Sequence, residues 1–289
     1  MDPVLLANTL VAGLLVGGFY AGISVGLTIS FGMLDIVNVA HPAFIVLGAY
    51  LAFLANDRFG IDPLVSALVL APLFALGGAA LYRLYYVCFE RRGEDSLAGP
   101  AFFLGILFIV EVGLVLLFGV DLRMAQTGYS DAVWRLGALD LRVTLVIPFL
   151  VSIAMIVALR LFFARTFLGR AVMAVAQDRL ALRLMGVDAV RVRRFAFCLS
   201  LATAAITGAC LIMIQPVQPA HGREYIALIF AICVLGGMGS ITGTLVGALI
   251  LGVAETFTAT YSGPSWAPMV SFSILLLALA FRPAGLFGR

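Results

Sequence analysis

Charge along this chain is confined to a few short intervals, and the stretches between them are long and apolar. The first charge-free window runs from Pro3 to Leu34, and a second follows Asp35 and ends near Asn56. A third lies between Pro63 and Tyr82, and a fourth, Ser96 to Val120, is broken only by Glu111. Val143 to Leu159 and Phe195 to about Ile214 follow, then Tyr225 to Ala254, and Thr256 to Phe281 closes the chain. A bilayer core takes about 20 apolar residues per helix. The pattern therefore predicts an all-α, polytopic transmembrane helix bundle, one domain over residues 1–289.

The arginines orient the spans, because short cytoplasmic loops collect basic residues. Arg83, Arg91 and Arg92 mark one inner loop, and the segment 160–194 is the other. The fourth and fifth spans separate them, so both loops lie inside and Asp121–Arg142 lies outside. Counting back puts the N-terminus outside if Pro3–Leu34 is one span. Counting forward puts "QPVQPAHGRE" outside and the tail "FRPAGLFGR" inside, which requires an odd number of crossings after Glu224. Residues 225–255 then cross twice as short segments or re-enter, with "GGMGS" (Gly236–Ser240) as the turning point. The expectation is eight or nine crossing segments, some short or broken.

Composition agrees with a chain solvated by lipid. Of 289 residues, 63% are hydrophobic and 11% charged, against about 25% charged in a soluble domain. All 18 basic residues are arginine. Without lysine the chain cannot form a G-x-x-x-x-G-K-[ST] phosphate loop, so any ATP that drives it must bind on another subunit. Cys88, Cys198, Cys210 and Cys233 sit singly among apolar residues, with His41 and His221 the only histidines. That spacing points to no metal site and no disulfide. The N-terminus lacks a basic region before its apolar run, which is expected to be a retained span. No nucleophile, base and orienter can be assembled, so an enzyme is not expected, and nothing points to a nucleic-acid partner.

Few polar groups fall at membrane depth. Asp35, Asn38 and His41 cluster before the second span, Glu111 lies in the fourth, and Glu255 follows the glycine-rich region. Ionisable groups in spans are costly and become functional candidates. Asp35 and Glu255 would otherwise cap helices at the interface, while Glu111 is expected to face the interior, protonated or paired with an arginine. Gly13 and Gly17, then Gly18, Gly22 and Gly26, then Gly243 and Gly247 recur every fourth residue, on one helix face. Such faces allow close backbone approach, either for static packing or for sliding during transport.

The stretch Phe167–Arg194 holds six of the 18 basic residues. Residues 170–186 favour helix, with Ala174, Asp178, Ala181 and Met185 on one face and Gly186 as a left-handed stop. Its apolar positions form no clean stripe, which argues against an interfacial membrane helix. A protein groove, or a basic loop that only fixes topology, remains.

Four segments resemble the permeases of branched-chain amino acid ABC transporters, in particular the shorter of that system's two permease types. They are "GLTISFGMLDIVNVAHPAFIVLGAY" (26–50), "GRAVMAVAQDRLALRLMGVD" (169–188), "FAICVLGGMGSITGTLVGALILGVAE" (230–255) and the tail "RPAGLFG". The resemblance implies an inner-membrane permease subunit, a second related permease, two cytoplasmic ATPase subunits that bind the ATP, and an external solute-binding protein. It implies an ATPase-coupling surface at Gly169, Arg170, Ala174, Asp178, Ala181, Met185 and Gly186. Asn38, His41, Gly236, Gly237, Gly239 and Ser240 are the expected substrate path. Two departures stand out: Leu180, Ala181 and Leu182 replace the family's E-A-A, and Pro42 follows His41 where the family has glycine. Permeases for urea or short amides are similar in sequence. An ion-coupled carrier using Asp35, Glu111 and Glu255, and a purely structural membrane subunit, are the readings of other classes.

Overall fold

The computed structural model describes residues 3–93, 95–137, 139–177, 186–282 and 284–288. Helix α1 (Pro3–Leu27) runs straight into a π-helical turn (Thr28–Met33). Then come α2 (His41–Phe59), α3 (Pro63–Cys88), α4 (Asp95–Phe118), a hairpin of β1 (Val133–Leu136) and β2 (Leu139–Arg142), α5 (Val143–Arg165) and α6 (Phe167–Gln177). The chain continues through α7 (Ala189–Ile214), α8 (His221–Gly236), α9 (Ile241–Tyr261) and α10 (Ala267–Phe281).

Contacts between loops sort the helix ends into two sets. Asp140 N–H donates to Asn8, Tyr129 Oη to Asp62, and Arg123 exchanges backbone bonds with Val217, placing these residues at one end. Arg193 pairs with Glu90 and donates to the Leu34 carbonyl, while Leu286 and Phe287 bond to Leu235 and Gly236, all at the other. Among the described residues, nine helices alternate between these ends, and only α6 lies wholly at the arginine-rich inner end. Three crossings follow Glu224, as the charge count requires.

Seven of the nine are long and apolar enough to cross a bilayer. The others are α2, which carries Asp57 and Arg58, and α8, whose 16 residues reach only about 24 Å. Both sit inside the bundle, against α7 and α9 respectively. Short or broken helices are tolerated at membrane depth where protein, not lipid, surrounds their ends.

Some helix limits differ from the charge-free windows, because charge marks solvent access and not helix ends. Helix α7 starts at Ala189, ahead of Phe195, capped by Asp188 accepting from Val190 N and Arg191 N. It thereby draws Arg193 into the bundle. Helix α9 runs past Glu255 to Tyr261, so Glu255 lies within a helix and caps nothing. Helix α2 starts at His41, with Pro42 in its first turn, where a missing N–H is harmless. The β-hairpin, unforeseen from the windows, sits in the outer loop; Gly137 turns it with a positive φ.

Helices α1, α2 and α7 form the centre, flanked by α3 and α4 on one side and α8–α10 on the other. Leu116, Leu117, Leu68, Leu76 and Leu276 face outward, which in lipid carries no penalty. The two glycine faces of α1 meet different partners. Gly13 and Gly17 lie against α9, so close that a Cβ on Gly252 would sit 2.3 Å from the Gly17 Cα. Gly18, Gly22 and Gly26 meet Phe149, Ser152 and His41. Gly252→Leu is expected to force α1 and α9 apart and lower stability by about 2 kcal/mol or more, read as a fall in thermal midpoint in detergent.

At the outer end, Asp62 caps α3 through Leu64 N and accepts from Tyr129 Oη at 2.7 Å. Burial, then the Asp62 carboxylate, raises the Tyr129 phenol well above its ordinary value. The sign follows: the stabilisation is complete below the free phenol's pKa, near 10, and is lost as pH rises through the higher folded-state value. Tyr129→Phe is expected to destabilise the chain by about 1 kcal/mol at neutral pH, measured by the same melts.

Candidate functional site

The π-turn ends α1 in a break. Asp35 takes a left-handed φ of 56°, uncommon outside glycine, and residues 35–38 belong to no regular element before α2 begins. π-turns inside α-helices concentrate at functional positions. The break buries Asn38 and His41 completely. Neither amide atom of Asn38 finds a hydrogen-bond partner among the described residues, nor do the Ser24 and Ser152 hydroxyls. The His41 ring faces the Ile23 carbonyl and Gly26, with no well-formed hydrogen bond at either nitrogen. Gly26 is required here, since a Cβ would stand 2.3 Å from the ring. Helix α7 completes this interior: Ser200 Oγ donates to the Gly26 carbonyl at 2.7 Å, while Thr203 and Thr207 are satisfied by their own helix. Unpaired buried polar groups each cost about 1–3 kcal/mol, so the burial of Asn38 and His41 carries a cost in this arrangement.

The predicted turn Gly236–Ser240 is separate from that buried cluster. It joins α8 to α9 at the inner end, with Gly237 and Gly239 at positive φ. A Cβ on Gly32 would lie 2.1 Å from the Gly239 nitrogen, so the turn rests directly on the π-turn. Ser240 caps α9 by accepting from Gly243 N at 3.0 Å. On its other side the tail clamps it through Leu286 N to Leu235 O (2.8 Å) and Phe287 N to Gly236 O (3.1 Å).

Helix α6 is the described part of the segment expected to couple to an ATPase. Thr166 ends α5 and opens α6: its hydroxyl donates to the Phe162 carbonyl at 2.8 Å and accepts from Gly169 N at 3.0 Å. Gly169 is packed so tightly that a Cβ would meet the Phe162 oxygen at 2.3 Å. Arg170 is exposed, Ala174 half-buried, and Gly186 holds a left-handed φ of 77°. Asp178, Ala181 and Met185 lie outside the described residues. Over 167–177 the structure does give an apolar stripe, with Gly169, Val172 and Val175 buried. That stripe faces protein: α6 packs on α5, α7 and the π-turn. A cavity of about 530 Å³ opens between α6, the π-turn and the Gly236–Ser240 turn, with Arg160, Met173 and Phe287 in its wall.

A buried ion pair fastens the same region and was invisible to window reading. The Arg193 side chain, 2% exposed, pairs with Glu90 at the end of α3 and donates to the Leu34 carbonyl at 2.6 Å. Tyr82 Oη donates to the other Glu90 oxygen at 3.0 Å. The sequence shows three arginines, Arg191, Arg193 and Arg194, soon after the Asp188 cap, and nothing in it singles out the one that is buried.

The other intramembrane acids are also engaged. Glu111 pairs with Arg223 at 2.8 Å, the arginine partner expected for it. Glu255 accepts from Tyr20 Oη at 2.8 Å and from Ser271 Oγ.

This architecture matches known proteins along its whole length. The family model described as "Branched-chain amino acid transport system / permease component" matches residues 9–279. The chain belongs to that family. The permease protein BraD of the Pseudomonas aeruginosa high-affinity branched-chain amino acid transport system is 30% identical over 97% of this chain and 95% of its own. LivH of Escherichia coli is 28% identical over 96% of this chain and 94% of its own. LivM of the same organism is 25% identical, covering 92% of this chain and 67% of that protein. In fold, the chain is similar to PsaBC from Streptococcus pneumoniae in complex with Fab, with a TM-score of 0.55 and 17% identity over 98% of this chain and 93% of that one. It is thus a multi-pass transport permease of the cell inner membrane.

Proposed function

We propose that this permease is one membrane half of an ATP-driven importer for branched-chain or chemically similar amino acids. A second, related permease completes the pathway. Two ATPase subunits dock at the inner end and carry the ATP, and an external solute-binding protein delivers substrate. The observation that carries this reading is the packing of α6 onto the π-turn. Movement of α6 by an ATPase would reach the α1–α2 break, and with it Asn38 and His41, through direct contact. Of the expected coupling residues, Arg170 is exposed on α6, and Asp178, Ala181 and Met185 follow it in the sequence before Gly186. The inner rim Gly236, Gly237, Gly239 and Ser240 acts as the exit side of the path.

The engagement of Glu111 by Arg223, and of Glu255 by two hydroxyls, leaves the ion-coupled carrier with less support. Substrate class is tested in proteoliposomes holding the assembled transporter and its binding protein. Labelled L-leucine is expected to accumulate with ATP and to be displaced by valine and isoleucine. Displacement by urea or short amides instead would assign this chain to the amide-transporting relatives.

A further inference from the structure

A second cavity, of about 600 Å³, opens at the outer end between α1, α8, α9 and α10. Gln215, His221 and Glu224 stand at its mouth, and Tyr20, Glu255 and Ser271 line it deeper down. Glu255 lies six residues before the end of α9, about 9 Å below it. A carboxylate at that depth demands an explanation, because desolvating it is expensive unless donors or a cation compensate. Two donors are present. Tyr20 Oη and Ser271 Oγ each donate to a different Glu255 oxygen, an arrangement that fits the ionised form, which offers about four acceptor positions. At least two of those positions remain for a further donor.

The cavity supplies no cation of its own to fill them. His221 is the one basic side chain among its described lining residues, and it faces Glu224 at 3.8 Å. Arg223 on the same helix turn is committed to Glu111. Tyr225 Oη accepts from Gln215 Nε2 at 2.6 Å, which leaves its own hydrogen to be donated. The walls between these groups are apolar, including Val16, Leu228 and Phe272. A cation, a hydrogen-bond acceptor and an apolar body are therefore the three features that the cavity would hold together.

The geometry points to this cavity as the outer docking site for the zwitterionic solute, with Glu255 as the counter-ion of its ammonium group. Tyr20 and Ser271 orient the carboxylate, and Tyr225 with Gln215 meets the solute's carboxylate. This inference rests on the amino-acid reading above and adds where and how the amine is recognised.

The test uses the assembled transporter in proteoliposomes that first show ATP-dependent L-leucine uptake; absence of that uptake would strike the importer reading itself. Ala259→Cys, one turn beyond Glu255, is labelled from outside with a membrane-impermeant maleimide. L-leucine is expected to slow labelling several-fold, whereas its 2-hydroxy acid analogue, which lacks the ammonium, does not. Glu255→Gln is expected to remove the protection and lower leucine uptake roughly tenfold with ATPase activity kept, and Glu255→Asp to retain part of both. Should Glu255→Gln fail to assemble, Tyr20→Phe and Ser271→Ala are expected to weaken protection by smaller factors. Equal protection by the hydroxy acid, no protection by leucine, or unchanged uptake in Glu255→Gln would overturn the assignment while leaving the importer intact.

Discussion

Arg193→Ala is expected to destabilise the chain by about 3–5 kcal/mol, because it strands a buried charge. Among the described residues, the substitution leaves the Glu90 carboxylate with Tyr82 alone and removes the donor to the Leu34 carbonyl. Thermal melts of detergent-purified protein and the yield of folded material read this directly. The double variant Glu90→Leu, Arg193→Met separates stability from transmission. Replacing a buried pair with apolar residues of similar size is often neutral or stabilising, so the double variant is expected to regain most of the lost stability. Its transport should remain depressed, since nothing then ties the start of α7 to the carbonyl that ends the π-turn. A double variant that transports at the wild-type rate would show the pair to be structural only.

Gly186→Pro and Arg170→Glu are expected to abolish most ATP-driven uptake while leaving membrane insertion intact. Gly186 holds a φ of 77°, and proline is locked near −65°. The chain leaving the coupling segment must therefore redirect before Asp188 can cap α7. Arg170 is exposed on α6, so reversing its charge leaves the interior packing untouched. Inverting a charge at a protein contact weakens it by about 2 kcal/mol or more, roughly a thirtyfold loss of association. Uptake by the transporter, set beside the amount of chain in the membrane and ATPase co-purified with it, distinguishes this from misfolding. Normal uptake in both variants would remove α6 from the coupling pathway.

The crossing pattern was legible because desolvation penalises charge so strongly that its absence over about 20 residues has one economical explanation. An odd number of crossings after Glu224 followed from the location of arginines, and the glycine-rich turn fell where a break was required. Less legible were the helix limits near Asp188 and Glu255. There the sequence shows a charge, but whether it meets water or a partner depends on residues far away, such as Glu90 for Arg193 and Tyr20 for Glu255. The α1 glycines announced close packing without revealing that one face serves α9 and the other serves His41. Asn38 and His41 could be singled out as polar residues at a break. Their complete burial, with no side-chain hydrogen-bond partner among the described residues, is a property of the fold.

The central claim is that this subunit has no engine of its own and is worked from its inner end. It is tested most directly by leucine uptake into proteoliposomes containing the purified chain alone, or the chain with its second permease and ATPases, with and without enclosed ATP and an imposed proton gradient. The account predicts uptake only in the complete assembly with ATP, insensitive to collapse of the gradient. Gradient-driven uptake by the chain alone would contradict it.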